Sequence, residues 1–456
     1  MGPNEQMESI LRFVKRCIPT ALFRSFLPAY HFFLAFSAAL YYRFPSRKIF
    51  VVAVTGTNGK TTVTEIVNAF LEEAGRKTAL SNTLRFKVGT ESFMNVFKMT
   101  TPGRFFLQRF LREAVDAQCR YAIIELTSEG ARQSRHLFVA LDALIFTNLT
   151  PEHIESHGSF EKYRDAKRKL ARALARSGKP KKYMVANIDD PEGKNFLRIA
   201  GRGGAEKIPY SRADAAPYAM REGGVSLSLE GETVESSLPG LFSIANILAA
   251  AAFARSQGIS VGTIQKALRA FRGVPGRVER VSLSGAGVNS SRQNFSVYVD
   301  YAHTPDALQN LYEAFPNTRK ICVLGATGGG RDKWKRPELG RIAAEHCSEI
   351  TLTDEDPYDE NPETIINDVA SGVSSHAKFK IPNLSSTEPQ VLVRDSKFHI
   401  ILDRRRAIAD AVRLARAGDA VFITGKGTDP YIMGPRGTKI PWSDAEIVRE
   451  ALGKVI

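Results

Sequence analysis

The sequence predicts an α/β protein of two domains, 49–276 and 277–456, each on a mostly parallel sheet, behind a short hydrophobic helical segment, 1–48. Three observations lead there. From Lys48 onward, short apolar runs alternate with amphipathic stretches, the pattern of βαβ units. A glycine-rich loop at 56–62 joins the first run to the first stretch. The turn cluster GVPGR at 273–277 interrupts the alternation, which then restarts.

In the first domain, 49–54 is an apolar run of buried-strand type and 60–73 reads as a helix. A helix at 104–117 precedes a strand at 121–125, a strand at 143–146 precedes a helix at 160–175, and 183–186 is a short strand. Alternating runs and glycines at 223–238 predict a small antiparallel patch, followed by helices at 242–256 and 261–271. In the second domain, strands at 295–300, 321–324, 350–352 and 420–423 alternate with helices at 305–315, 336–346, 404–416 and 443–452. That order is Rossmann-like.

The chain has 456 residues, 43% of them hydrophobic, which suffices for full cores. Its formal charge of +15 favours polyanions: nucleic acid, anionic membrane, or phosphorylated and carboxylated substrates. No RNA-recognition, zinc-finger or recognition-helix pattern is present, so a nucleic-acid partner is not expected. The four cysteines, Cys17, Cys119, Cys322 and Cys347, form no C-x-x-C pair. Scattered thiols suit a reducing cytoplasm and argue against a disulfide framework.

The run PAYHFFLAFSAALYY at 28–42 is flanked by Arg24, Arg43, Arg47 and Lys48. It is shorter than the roughly 18 residues of a spanning helix, and no small-residue cleavage site follows it. Two readings stand: a helix packed on the body, or an interfacial helix with basic flanks on an anionic membrane. The expected location is cytoplasmic, with 28–42 as the segment that would touch a membrane. A monomer is expected.

GTNGKTT, 56–62, lies between a strand and a helix. Backbone N–H groups of such a loop, with the helix N-terminus, form an anion site. Gly56, Thr57, Asn58 and Gly59 would shape it, Lys60 would reach the β/γ-phosphates, and Thr61, with Thr62 beside it, would offer a hydroxyl to Mg²⁺. Val54 stands where the general pattern has its first glycine, so the loop is a variant. Glu125 ends an apolar strand and His153 follows another strand end, where ligands of α/β sheets bind.

The ordered set TGTNGKTT, TTP, ELTSEGARQSR, FTNLTPEHIESHG, YRDAK, NIDD, GVPGRVE, DYAHTPDAL, GGGRDKWKRPELG, DEDPYDENP, DRRRAI and GKGTD resembles the Mur ligase family, most of all its tripeptide-forming branch. The likeness runs from 49 to 456. It implies an ATP-dependent acid–amino-acid ligase that joins a muropeptide-type carboxylate to an amino acid through an acyl phosphate. It implies two Mg²⁺ sites: Thr61 and Glu125 for the first ion, His153 for the second, and a carbamylated Lys167 as an anionic ligand. Without the likeness, Lys167 would be one cation of a helix face. Asn246 would read adenine, and Arg277, Asp300 and His303 would hold nucleotide from the second domain. Lys333 and Arg336 would lie where that domain closes. Thr100, Thr101, Ser128 and Arg135 fall at substrate positions.

Three departures bear on the substrate. The segment before the core is too short for the domain with which the tripeptide branch binds a uridine nucleotide, so the donor is UDP-linked, lipid-linked or another carboxylate. DEDPYDE puts Tyr358 where diaminopimelate-adding members carry an arginine, and a phenol does not replace a bidentate guanidinium. GKGTD puts Asp429 at a family glutamate. Asp354, Glu355, Asp356, Asp359 and Asp429 then favour a cationic or small acceptor over meso-diaminopimelate. Thr127 and Glu129 stand where the branch has serine and histidine. Rival readings are a folylpolyglutamate- or cyanophycin-type ligase and a non-catalytic, membrane-attached nucleotide-binding scaffold.

Overall fold

The computed structural model describes residues 20–97, 99–221, 223–283, 293–376, 379 and 397–455. Cys17 lies outside them, as do the side chains of Arg24 and Pro28. Helix α1 (Thr20–Tyr41) leads into β1 (Phe50–Thr55) and then α2 (Lys60–Glu73). Next come β2 (Thr78–Ser81), β3 (Arg85–Val88), β4 (Glu91–Met94), α3 (Arg104–Asp116) and β5 (Tyr121–Glu125). Short α4 (Ser128–Arg132), β6 (Ala143–Phe146), short α5 (Ile154–His157), α6 (Phe160–Ala175), β7 (Tyr183–Asn187), α7 (Pro191–Gly201) and β8 (Glu206–Tyr210) complete the first layer set.

These strands form one sheet in the order β4-β3-β2-β5-β1-β6-β7-β8. It is parallel except for β2/β3 and β3/β4. Strand β1 explains why its run is apolar throughout. Val52 and Val54 enter one core cluster with Val63, Ile66 and Phe70 of α2, while Val51 and Ala53 enter another with Leu107 and Leu111 of α3 and Leu170 of α6. Alternate side chains point to opposite faces, and helices cover both, so neither face reads as polar.

A three-stranded antiparallel sheet follows: β9 (Ala219–Arg221), β10 (Gly224–Leu229) and β11 (Glu232–Ser236). It agrees with the patch expected at 223–238. Helix α8 (Leu241–Ser256) is apolar all round because Ile244, Ile247, Leu248 and Phe253 are buried in the cluster that α2, the large sheet and this small sheet share. Helix α9 (Val261–Ala270) packs beside α2.

The second sheet holds β12 (Glu279–Val281), β13 (Ser296–Val299), β14 (Lys320–Leu324), β15 (Glu349–Leu352), β16 (Phe398–Ile400) and β17 (Ala420–Ile423). Its order is β12-β13-β17-β14-β15-β16, with only β12/β13 antiparallel. Helices α10 (Pro305–Glu313), α11 (Lys335–His346), α12 (Pro362–Ser374), α13 (Arg404–Leu414) and α14 (Asp444–Val455) cover it. Phe422 lies in one core cluster, and Val421 and Ile423 lie in the other.

The cysteine expectation needs correction. Cys322 in β14 and Cys347 just after α11 form a disulfide, with a Cα–Cα distance of 6.2 Å. Sequence spacing hid this pair because α11 is the crossover between β14 and β15. It runs back along the sheet and brings a residue 25 positions away beside the strand. Cys119 is free and buried.

Candidate active site

Parallel pairing fixes where the chemistry gathers. Val54 is in register with Glu125 and Thr55 with Phe146, so the loop after β1, Glu125 and Thr147 emerge along one edge of the first sheet. In the second sheet, Asp300 follows β13, Thr327 lies beyond β14, Thr353–Tyr358 follows β15 and Gly425–Asp429 follows β17. These are carboxyl ends of parallel strands, where open α/β sheets bind ligands.

The loop at 56–62 is tied down by its surroundings. Thr57 N donates to Asn148 O at 2.9 Å and Asn58 N to Asn148 Oδ1 at 2.8 Å. The Thr57 hydroxyl lies 2.9 Å from that of Tyr163. Gly59 caps α2 with φ 82°, and a Cβ there would sit 2.3 Å from Asn246 Oδ1, so both the backbone angle and the space require glycine. Lys60 Nζ donates to Thr57 O at 2.8 Å and lies 3.9 Å from Glu125 Oε1. Thr61 Oγ1 donates to Glu125 Oε2 at 2.9 Å, and Thr83 N and Oγ1 approach the same oxygen at 3.1 Å. The hydroxyl, carboxylate and ammonium named from the sequence therefore share one corner of the cleft.

Lys167 comes from α6 and is 2% exposed. Its Nζ donates to Gly56 O and stands 4.8 Å from the Tyr163 ring centre. Burial, then the neighbouring charge of Lys60, pull its pKa well below the usual lysine range. Burial likewise lowers that of Lys60, against the attraction of Glu125. His153 holds a left-handed backbone, φ 56°, and burial pushes its imidazole pKa down to about 2, so its ring is neutral and able to ligate.

The halves meet across this cleft. Asn58 Nδ2 donates to Asp306 Oδ2 at 2.8 Å, and the backbone N–H groups of Ile154 and Glu155 donate to Asp332 at 3.1 and 2.8 Å. Arg277 places its guanidinium 4.3 Å from the Tyr301 ring centre and 3.5 Å from Thr61 Oγ1. His303 Nδ1 lies 2.8 Å from Tyr301 O. Asp300 spends both oxygens on backbone, accepting from Val278 N and Ala302 N at 2.6 Å.

Two adjoining cavities result. One, about 370 Å³, is lined by Lys60, Thr61, Glu125, His153 and Lys167, and by every substrate candidate: Thr100, Thr101, Ser128, Arg135, Asp356, Tyr358 and Asp429. The other, about 530 Å³, is lined by Asn246, Asp300, Asp190, Phe242 and Asp306. Gly59, Thr62, Arg277 and His303 line both.

Cleft residues that escaped sequence reasoning include Thr83, Tyr163, Glu152, Tyr301, Arg331 and Lys335. Glu152 is 3% exposed, its Oε1 accepts from Lys335 Nζ at 3.0 Å, and its Oε2 has no hydrogen-bond partner among the described residues. Burial raises its pKa. Its signal was adjacency to His153. Arg336, expected where the second domain closes, is instead buried against Asp368 and Glu360 at 2.9 and 2.8 Å. One residue earlier on α11, Lys335 faces the cleft. Lys333 does meet the first half, its N–H donating to Glu155 at 2.7 Å. Among the described residues, no three His, Cys, Asp or Glu side chains form a ready metal cluster.

The acid group also differs from expectation. Lys426, with its side chain fully buried, is 2.8 Å from Asp356 and 3.2 Å from Asp429, and Asp359 accepts from Arg436 N. These carboxylates are already compensated and offer an incoming ammonium less than their number suggests. Tyr358 stands at φ 54° and lines the cleft together with Arg331. Arg404 is locked to Asp444 at 2.7 Å, Arg405 pairs with Glu450, and Arg406 lies 3.7 Å from Asp410, so none of the three stands in for an arginine at 358.

The family description Mur ligase middle domain matches residues 54–254, and Mur ligase, glutamate ligase domain matches 262–427. The chain belongs to the Mur ligase family. This Mur ligase is 36% identical over 440 residues to the UDP-N-acetylmuramoyl-L-alanyl-D-glutamate--2,6-diaminopimelate ligase of Syntrophomonas wolfei subsp. wolfei, covering 92% of this chain and 82% of that protein. It is 35% identical over 441 residues to the UDP-N-acetylmuramyl-tripeptide synthetase of Roseiflexus sp., at 92% and 82% coverage. A solved UDP-N-acetylmuramoyl-L-alanyl-D-glutamate--2,6-diaminopimelate ligase superposes with a TM-score of 0.57 at 26% identity, over 89% of this chain and 78% of that one. Folylpolyglutamate synthase of Mycobacterium tuberculosis shares the fold, with a TM-score of 0.64 at 15% identity over 86% and 92%. As a Mur ligase, the chain is an ATP-dependent amide-bond ligase of peptidoglycan-precursor synthesis.

Proposed function

We propose that this Mur ligase adds an amino acid other than meso-diaminopimelate to a muropeptide-type carboxylate. Its two working units would be 49–276 and 277–456, with the nucleotide held between them. The observation that carries the reading is the convergence of Lys60, Thr61, Glu125, His153 and Lys167 with all the substrate candidates around one cavity.

A carboxylate is a poor acyl donor because its leaving group would be oxide. Transfer of the γ-phosphoryl group to it gives an acyl phosphate, the acceptor amine attacks, and phosphate departs. Adenine would sit by Asn246 and ribose near Asp300 and His303, with the phosphates in the 56–62 loop. Lys60 neutralises charge between γ-phosphate and carboxylate. Arg135 would hold the donor, its pKa lowered by burial at the cleft wall. Closure of the second unit excludes water from the acyl phosphate.

Two Mg²⁺ ions fit the donor set. Thr61 and Glu125 would hold the first. His153, with the unpartnered Glu152 oxygen and a carbamylated Lys167, would hold the second. The ions supply Lewis-acid stabilisation of phosphoryl charge. The depressed Lys167 pKa supports carbamylation, since only a neutral amine adds to carbon dioxide, releasing a proton.

The relatives' names include 2,6-diaminopimelate. Tyr358 is the reason to expect otherwise here, because a phenol cannot give a second carboxylate the bidentate bond of a guanidinium. The test supplies ATP, a UDP-linked or lipid-linked muramoyl dipeptide, and alanine, lysine, ornithine and meso-diaminopimelate together. Phosphate release and product mass are read. Amide product without preference for meso-diaminopimelate is expected. Preferential incorporation of meso-diaminopimelate overturns the acceptor assignment, and phosphate release without amide overturns the reading as a whole.

A further inference from the structure

We propose that the outer face of α1 and the cationic groove beside it form a docking surface for an anionic phospholipid bilayer. Helix α1 is inverted relative to a water-facing helix. Its inward side is small, with Ala35, Ala38 and Ala39 buried against the body. Its outward side is large and apolar: Phe32, Phe33, Phe36, Leu40 and Tyr41 are 46%, 64%, 39%, 56% and 74% exposed. A contiguous exposed apolar strip of this kind marks an interaction surface. Among the described residues, no helix is long and apolar enough to cross a membrane, so the strip suits a helix lying in the interface.

Charge selects the occupant. Arg43, Arg47 and Lys48 follow the helix and are exposed, and the Arg47 guanidinium lies 4.5 Å from the Phe44 ring centre. Phe44 and Arg47 line a groove of about 880 Å³ with Lys169 and Arg172 of α6 and Arg176 just after it, all three exposed, and among the described residues no aspartate or glutamate lines it. Aromatic rings beside unopposed cations match the acyl boundary and the anionic headgroups of a bilayer. A protein partner of ordinary composition gives no reason for so one-signed a rim.

The surface is joined to the cleft. His31 Nδ1 of α1 is 2.7 Å from a guanidinium nitrogen of Arg104, which also donates to Gln133 O, and Gln133 Oε1 accepts from cleft-lining Arg135. Docking therefore sets the donor side of the cleft nearest the lipid.

The test is sedimentation of the full chain with phosphatidylglycerol/phosphatidylcholine vesicles and with phosphatidylcholine vesicles alone. Binding to the anionic vesicles, weakened by salt, is expected. Phe33→Ser with Leu40→Ser should abolish it. Arg43→Gln, Arg47→Gln and Lys48→Gln together should weaken it about a hundredfold, at about fivefold per charge. Circular dichroism and ATPase activity without vesicles should stay unchanged in both variants. Absence of binding, equal binding to neutral vesicles, or binding indifferent to both variants overturns the proposal. So does a concentration-dependent dimer that Phe33→Ser dissolves, which would make the strip a contact between copies of the chain.

Discussion

Replacing Lys167 by alanine separates its chemical role from its structural one. The side chain gives one hydrogen bond, to Gly56 O, so its loss leaves a buried carbonyl short of a donor, at about 1–3 kcal/mol. Against that, the variant no longer holds a desolvated amine beside Lys60, which returns part of the cost. The net is about 1 kcal/mol, or about 2–4 °C in Tm for domains of this size. Turnover should fall far more, about 10²–10³-fold, as when one preorganised electrostatic group is removed from a transition state. The assay is phosphate release in buffer stripped of carbon dioxide, then with bicarbonate restored, alongside Lys167→Ala with added short-chain carboxylates. The native chain should regain activity with bicarbonate, and the variant should be partly rescued by the carboxylate. Full activity of Lys167→Ala, or native activity indifferent to carbon dioxide, refutes the reasoning.

His136 is 6% exposed and burial pushes its pKa down to about 4, so below about pH 6.5 the unfolded chain binds a proton that the folded chain refuses. Stability should fall as pH drops from about 6.5 towards 4, by about 1 kcal/mol over the first unit, and His136→Gln should flatten that slope in urea melts. Arg404 and Asp444 are mutually buried, so Asp444→Ala strands a guanidinium and should cost about 3–5 kcal/mol; a denaturation midpoint unchanged from the native chain counts against this. Gly59→Ala should abolish ATP binding measured by calorimetry while leaving the circular dichroism spectrum native, because the added methyl meets Asn246.

Much of this fold is legible in the sequence because its strands are buried on both faces. Runs such as those of β1, β5, β6 and β17 carry no polar residue to break the signal until the functional one at the end, Glu125 in β5. The edge was not legible. Strands β3 and β4 hold Arg85, Lys87 and Glu91, and β4 is exposed throughout, so solvent removes the apolar pattern. Edge strand β8 contains Pro209 and reads as a breaker. Within the site, Glu125 and His153 at strand ends of the first half were found, whereas Thr83 after β2 and Glu152 beside His153 were not. Arg331 and Lys335 were missed because a loop and a helix start bring them in, and there one position along the chain decides whether a cation meets the cleft or, like Arg336, the core.

The bonds that close the cleft have a consequence for turnover. Asn58 to Asp306, Lys335 to Glu152, and Asp332 to two backbone amides are polar contacts that water replaces at little cost. Asn58 belongs to the loop expected to cradle phosphate. The latch between the halves would therefore share Asn58 with the expected phosphate receptor, so that occupancy of the loop and closure of the cleft bear on the same side chain. A phosphate that engaged Asn58 would thereby act on the closure that shields an acyl phosphate from water.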